Sequence, residues 1–216
     1  MRLEPLAEEH AEGMFAASAD PATWEWLNEP RPRDVADMLA SVRKALRERE
    51  QGLRLPWVQL DAGTGEVAGT TSYYEISPRN RSLCIGSTWI GARWRRSGLN
   101  TESKLLLLER AFDELKAVRV GWHTNALNER SRRAIERLGA SFEGVHRKHR
   151  LRPDGTFRDT AVYGMTDDDW AEVRPALRAR CVRWGRPRSG GPGRGRCRAI
   201  RAVRRASRPV RRRRAR

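Results

Sequence analysis

One nine-residue stretch, Trp94-Arg95-Arg96-Ser97-Gly98-Leu99-Asn100-Thr101-Glu102, has the composition of an anion cradle. The first turn of a helix leaves backbone N–H groups without intrahelical partners, at the positive end of the helix dipole. Gly98 lets the backbone approach an anion closely or take positive φ. Arg95 and Arg96 add charge and forked donors. An ordinary capped helix start beside a solvated basic turn would read the same way. Other side chains also carry chemistry. Glu75 can accept a proton, directly or through water, or can simply face solvent. Ser131 can donate a proton, or can bond back to the preceding helical turn. Asn128 can bond a ligand, cap a helix, or do both. His123 has an imidazole of suitable pKa, or is a solvated strand-end histidine. Glu143 either faces a cleft or pairs with Arg147 or Arg150. The three cysteines form no CxxC pair, no metal-ligand spacing is present, and no Ser–His–Asp arrangement is suggested.

These groups must be held by elements. Strands are expected over 2–6, 53–60, 66–76, 83–90, 117–123, 141–149 and 156–165. Helices are expected over 7–19, from Asp34 to about 50, over 101–115, 125–138 and 167–178. Val35, Met38, Leu39, Val42 and Leu46 fall on one helical face. Leu105, Leu108, Ala111, Phe112 and Leu115 give the third helix its apolar stripe. Thr166 caps the last helix, whose first turn is acidic as the dipole prefers. The order is early hairpins, then strand–helix–strand–helix–strand, then a hairpin. It predicts an α/β layered fold with a mixed, mostly antiparallel sheet of about six to seven strands flanked by helices.

Charge divides the chain. The formal net charge is +17, but residues 181–216 contain 15 arginines and no Asp, Glu or Lys. Before position 181 there are 29 basic and 27 acidic residues, so the body is nearly neutral. Composition therefore gives no reason for the body to bind nucleic acid. The expected organisation is a domain over 1–180 and an Arg-rich tail over 181–216 with too few apolar residues to order. That tail is either a nucleic-acid arm or the product of out-of-frame reading of a GC-rich sequence. No apolar run approaches a membrane span and the opening residues lack a signal pattern, so a cytoplasmic protein without membrane attachment is expected. Oligomeric state is not readable.

The order and spacing of several short motifs resemble the GCN5-related N-acetyltransferase superfamily, most closely its RimJ/RimL-like branch of ribosomal-protein N-terminal acetyltransferases. Arg95 to Thr101 is similar to that family's Q/R-x-x-G-x-G/A pyrophosphate loop. Asn125 to Ser131, followed by Leu138-Gly139-Ala140-Ser141-Phe142, is similar to its N-x-x-S helix start and G-F strand entry, lengthened by a residue or two. Leu3-Glu4-Pro5-Leu6 and Asp159-Thr160-Ala161-Val162-Tyr163 also look like that branch. The resemblance implies acetyl transfer from acetyl-CoA to an amine, a small molecule or a protein N-terminus, by direct attack; the alternative is a module of the same fold that binds acyl-CoA without catalysis. It implies that Arg95, Arg96, Ser97, Gly98, Leu99, Asn100, Thr101, Asn128 and Ser131 hold the cofactor. It implies that the strands 83–90 and 117–123 splay, and that a backbone N–H at Trp89 or Ile90 faces the thioester oxygen. Catalytic candidates are Ser131, as donor to the departing thiolate, and Glu75, as acceptor of the amine proton. Trp24, Trp26, Tyr73 and Tyr74 line an amine site or belong to the core. The chain departs from the family pattern at Asn100, where Gly or Ala is usual, at Ile135, which replaces a tyrosine acid, and at Cys84, which replaces a frequent acidic residue.

Overall fold

Seven strands and five helices build the body of the computed structural model, which describes residues 1–152 and 154–184. The strands are β1 (Arg2–Pro5), β2 (Arg54–Leu60), β3 (Val67–Ser77), β4 (Ser82–Ile90), β5 (Arg119–Asn125), β6 (Ser141–Leu151) and β7 (Phe157–Thr166). The helices are α1 (Ala11–Ala17), α2 (Val35–Glu50), α3 (Leu99–Leu108), α4 (Glu129–Glu136) and α5 (Asp167–Trp184). The sheet order is β1-β2-β3-β4-β5-β7-β6. Every neighbouring pair is antiparallel except β4 and β5. The mixed, mostly antiparallel α/β architecture expected from the sequence is therefore the observed one.

Helices cover the sheet on both faces. Met14, Met38 and Val42 of α1 and α2 pack on Val58 and Leu60 of β2 and on Trp89 of β4. Leu105, Leu108 and Leu177 of α3 and α5 pack on the opposite face, against Trp57, Leu83, Ile85, Val120 and Trp122. Strand alternation assigns the two faces: Trp57 and Val58 are adjacent and belong to different clusters.

β4 breaks that alternation. Ile85 and Trp89 are four residues apart and should share a face, yet they lie in opposite clusters. The cause is a bulge: the β3–β4 register shifts between Thr70 and Ser72, and Ser87 takes φ +47°. Lys104, from α3, braces this point. It is buried, and its Nζ donates to Thr71 Oγ1 at 2.8 Å and to Thr88 Oγ1 at 2.9 Å. A second shift, between Tyr74 and Ser77, accompanies φ +48° at Glu75.

Local boundaries moved for identifiable reasons. The expected helix over 7–19 is a short 3₁₀ turn followed by α1, and Asp20 caps another turn at Pro21–Thr23. Helix α3 starts at Leu99, not Thr101, and gives way to a wider π-type turn at Glu109–Glu114. That turn spoils the 3.6-residue phase, so Leu115 is exposed rather than in the stripe. Val35, at the first turn of α2, is likewise exposed. Asn125 ends β5 instead of starting a helix. Helix α5 runs to Trp184, into the segment expected as tail, and the rest of that segment lies outside the described residues. Among the described residues no helix is long and apolar enough to cross a membrane.

Burial pushes the Lys104 ammonium down to about 7. The unfolded chain keeps that proton up to the ordinary lysine range. Between those limits the unfolded state binds more protons, so stability rises with pH there. Replacing Lys104 by Met leaves the Thr71 and Thr88 hydroxyls bonded to each other at 2.8 Å. We expect Lys104→Met to be more stable than the parent by on the order of 3 kcal/mol near pH 6. The advantage should vanish above about pH 10. Urea unfolding across that range checks it; a variant less stable than the parent in acid refutes it.

Candidate active site

The cradle predicted from sequence lies where β4 hands over to α3. Gly98 is the N-cap of α3 with φ +84°, and no side chain caps the helix. The N–H groups of Gly98, Asn100 and Thr101 have no hydrogen-bond partner among the described residues. Leu99 N–H reaches only the Ser97 hydroxyl, at 3.4 Å. Three free donors thus converge at the positive end of a ten-residue helix. Asn100 sits in the first helical turn and needs no unusual backbone. The residue that does take positive φ is Arg96, at +62°, and its side chain is exposed. Arg95 differs from expectation. Its guanidinium donates to Asp20 Oδ2 at 2.6 Å and to Thr23 Oγ1 at 2.7 Å, tying the cradle to the loop after α1. Only one of the two arginines is therefore free to face a ligand.

From the cradle the open edge of β4 leads to a gap in the sheet. β4 and β5 pair at only three positions, ending at Cys84 with Gly121. Beyond them the strands part, as the expected splay requires. Gly91 N–H bonds Ala68 O on β3, at 2.9 Å. By strand alternation Trp89 also turns its N–H toward β3, and Ile90 turns its N–H to the parted side. Of the two candidates for the thioester oxygen, Ile90 is the one whose donor faces the gap. The Trp89 side chain is core, packed on Trp24 with ring centroids 6.0 Å apart.

Where the pairing of β4 with β5 ends lies a cleft of about 550 Å³, lined from β3, β4, β5, β6 and β7. Glu75 is its hub. Regular alternation would put Glu75 on the face of buried Tyr73, under α3; the bulge turns it to the opposite face. There Cys84 Sγ donates to Glu75 Oε2 at 3.4 Å, Arg150 Nη2 donates to Oε1 at 3.2 Å, and His123 Nδ1 stands 3.7 Å from Oε1. His123 Nδ1 is buried and has no hydrogen bond. Burial, aided by the charges of His149, Arg150 and His146, holds this imidazole below the ordinary histidine range despite Glu75. It is therefore neutral at neutral pH and able to take a proton. His146 and His149 lie beside it, with ring centroids 6.4 and 5.8 Å away. Tyr74 packs edge-on against His123, while Tyr73 is wholly core.

Glu143 is not the free base of the cleft. It pairs with Arg119, not with Arg147 or Arg150, through a bond of 2.6 Å to Oε1 and a second one to Oε2. That pair holds its carboxyl below the ordinary glutamate range. Asn128 caps α4 by accepting Ser131 N–H at 3.0 Å. The Ser131 hydroxyl makes no hydrogen bond among the described residues, so it does not bond back to the turn.

Glu75, Cys84 and His123 present ligand atoms all within 4.8 Å of one another, a set the size of a metal site. Sequence spacing could not predict it, because the three residues come from three strands. Arg150 already holds Glu75, and burial with the Glu75 charge pushes the Cys84 thiol up to about 12. Both facts oppose a divalent cation there.

The profile of the acetyltransferase (GNAT) domain matches residues 1–141. An uncharacterized N-acetyltransferase, YoaA of Bacillus subtilis (strain 168), is 25% identical over 165 residues, 76% of this chain and 91% of its own length. A GCN5-related N-acetyltransferase from Brucella melitensis superposes with TM-score 0.78 at 33% identity, covering 83% of this chain and 81% of that one. Mycobacterium smegmatis RimJ, solved in complex with CoA-disulfide, has the same fold with TM-score 0.71 at 22% identity, over 84% and 88% of the two chains. The chain belongs to the GNAT family of acetyl-CoA-dependent N-acetyltransferases.

Proposed function

We propose that the chain acetylates a primary amine by direct attack, with the amine meeting the thioester in the cleft at the end of the β4–β5 pairing. One observation carries this reading. The free N–H groups at Gly98, Asn100 and Thr101 lead along one open strand edge to a neutral imidazole and a carboxylate 3.7 Å apart. The pyrophosphate of acetyl-CoA rests on those donors and on Arg96. Ile90 N–H faces the thioester oxygen as negative charge develops on it. Asn128 and Ser131, at the start of α4, flank the pantetheine arm. The amine loses its proton to His123 or Glu75 and its nitrogen bonds to the acyl carbon. The carbon–sulfur bond then breaks, and Ser131 supplies the proton the thiolate needs. A protein N-terminus is the acceptor favoured by the likeness to the RimJ/RimL-like branch, and a small-molecule amine is the alternative.

Donor binding is tested first. Acetyl-CoA at about a hundredfold excess over its Kd should stabilise the full chain by about 2.7 kcal/mol. Gly98→Val places a β-branched residue at positive φ and crowds the cradle. It should abolish that thermal shift and itself cost about 1–3 kcal/mol. An undiminished shift in Gly98→Val removes the cradle from the site.

Proton transfer is tested by kinetics on a panel of amines. Glu75→Gln and His123→Asn should each lower kcat about 10²-fold, with acetyl-CoA binding retained. Because the His123 proton is lost below the ordinary histidine range, the acid limb of the parent's rate should lie below about pH 6.5. His123→Asn should move that limb into the carboxylate range. An unchanged profile in His123→Asn assigns the base elsewhere.

A further inference from the structure

Across from the Arg150 that holds Glu75 stands an arginine without an acid. Arg158, on β7, is half-buried, and its Nε is buried with no hydrogen bond. No ion pair to it exists among the described residues. Directly opposite, on β6, stands Arg150. Like charges facing each other across two strands destabilise a sheet. Arg150 relieves its own charge on Glu75 at 3.2 Å, but the groups that act on Arg158 among the described residues are Arg150, Arg152, His149 and the phenol of Tyr74, and none of them is a carboxylate. A guanidinium taken half out of water without a counter-ion is costly to a fold. Its planar fork matches a carboxylate or phosphate bidentately.

Its position makes the missing anion part of the substrate. Tyr74, whose phenol acts on the Arg158 charge, packs on His123 with ring centroids 6.0 Å apart. Arg150 touches Glu75 itself. An anion held between the two arginines therefore stands beside the groups proposed to deprotonate the amine. We propose that Arg158, with Arg150 opposite, binds a carboxylate or phosphate carried by the acceptor, so that this chain acts on amines bearing an anionic group a few bonds from the nitrogen. The inference rests on the acetyl-transfer reading for the identity of the ligand, and on the arginine pair alone for the anion.

The test uses the full chain and matched acceptors: β-alanine with its amide, phosphoethanolamine with ethanolamine, and a short peptide with Asp in second place with its Asn counterpart. The anionic member of at least one pair should have a kcat/KM about tenfold or more above its neutral partner. Which pair shows it separates carboxylate from phosphate. Arg158→Gln should collapse that preference toward unity through KM, and Arg158→Lys should keep part of it. Independently of activity, calorimetric titration with inorganic phosphate should show one site in the parent that Arg158→Gln lacks; tail arginines contribute equally to both. Without anions Arg158→Gln should melt higher than the parent, because it relieves an uncompensated charge. Neutral amines preferred throughout, or equal phosphate titrations, overturn the inference. A phosphate site lost in Arg158→Gln with no amine acetylated sustains the anion site and overturns the transfer reading instead.

Discussion

The site depends on two interruptions of strand alternation. A regular strand sends odd and even residues to opposite faces, so a carboxylate next to a core tyrosine is bound to one fixed side. At Glu75 and at Ser87 the backbone takes positive φ and the register with the neighbouring strand slips. The first slip moves Glu75 out from under α3 and into the cleft. The second turns the end of β4, so that Trp89 anchors in the α1–α2 core while Ile90 offers its N–H to the gap. Such backbone costs free energy wherever a side chain must adopt it. Lys104 adds to the cost by carrying an ammonium into the core to hold the Thr71 and Thr88 hydroxyls at the bulge. The strain and the buried charge sit together, at the place where the sheet changes from pairing to opening.

Topology supplies the rest. A parallel pair of strands cannot be joined by a hairpin and needs a crossover. Here that crossover contains α3, and its N-terminus lands at the end of β4. The single parallel junction in the sheet therefore delivers two things at once: a helix start with unpaired donors, and a strand pair joined at only three positions. The Arg95 bond to Asp20 and Thr23 then clamps this corner to the loop after α1. The cradle is held from below by strand pairing and from the side by an ion pair, and its glycine stays open to a ligand.

What was legible in the sequence was local. Gly98 with its free N–H groups, and Asn128 with the Ser131 N–H that it caps, each depend only on residues a few positions away, and short-range stereochemistry fixes them. The strand and helix types were legible for the same reason. The misreadings arose wherever a distant partner decided the outcome. Arg95 spends its fork on residues 72 and 75 positions away. Glu143 takes Arg119 from another strand instead of an arginine on its own. Leu115 left the core because a π-type turn shifted the phase of its helix. The convergence of Glu75, Cys84 and His123 needed the order β3-β4-β5 and a bulge, neither of which spacing encodes. Lys104 did leave a trace: it is the lone cation ahead of four consecutive leucines, on a helix whose apolar face had to be buried.

The charges around the cleft act on one another. Burial and the cation at Arg150 keep His123 unprotonated, which is the state a base requires. The same surroundings weaken it, because a base held below its ordinary range binds a proton less well. An anion seated between Arg150 and Arg158 offsets part of that positive field. It thereby raises the proton affinity of His123 when an acceptor is in place, without changing any contact of the imidazole itself. Arg150 has a second effect, since it can divide its donors between Glu75 and the incoming anion, loosening the carboxylate it holds in the empty cleft. On the proposed reading, the unpaired arginine is the means by which an acceptor of the right charge strengthens the base that deprotonates it. The local instability of two facing arginines is the structural cost of that coupling.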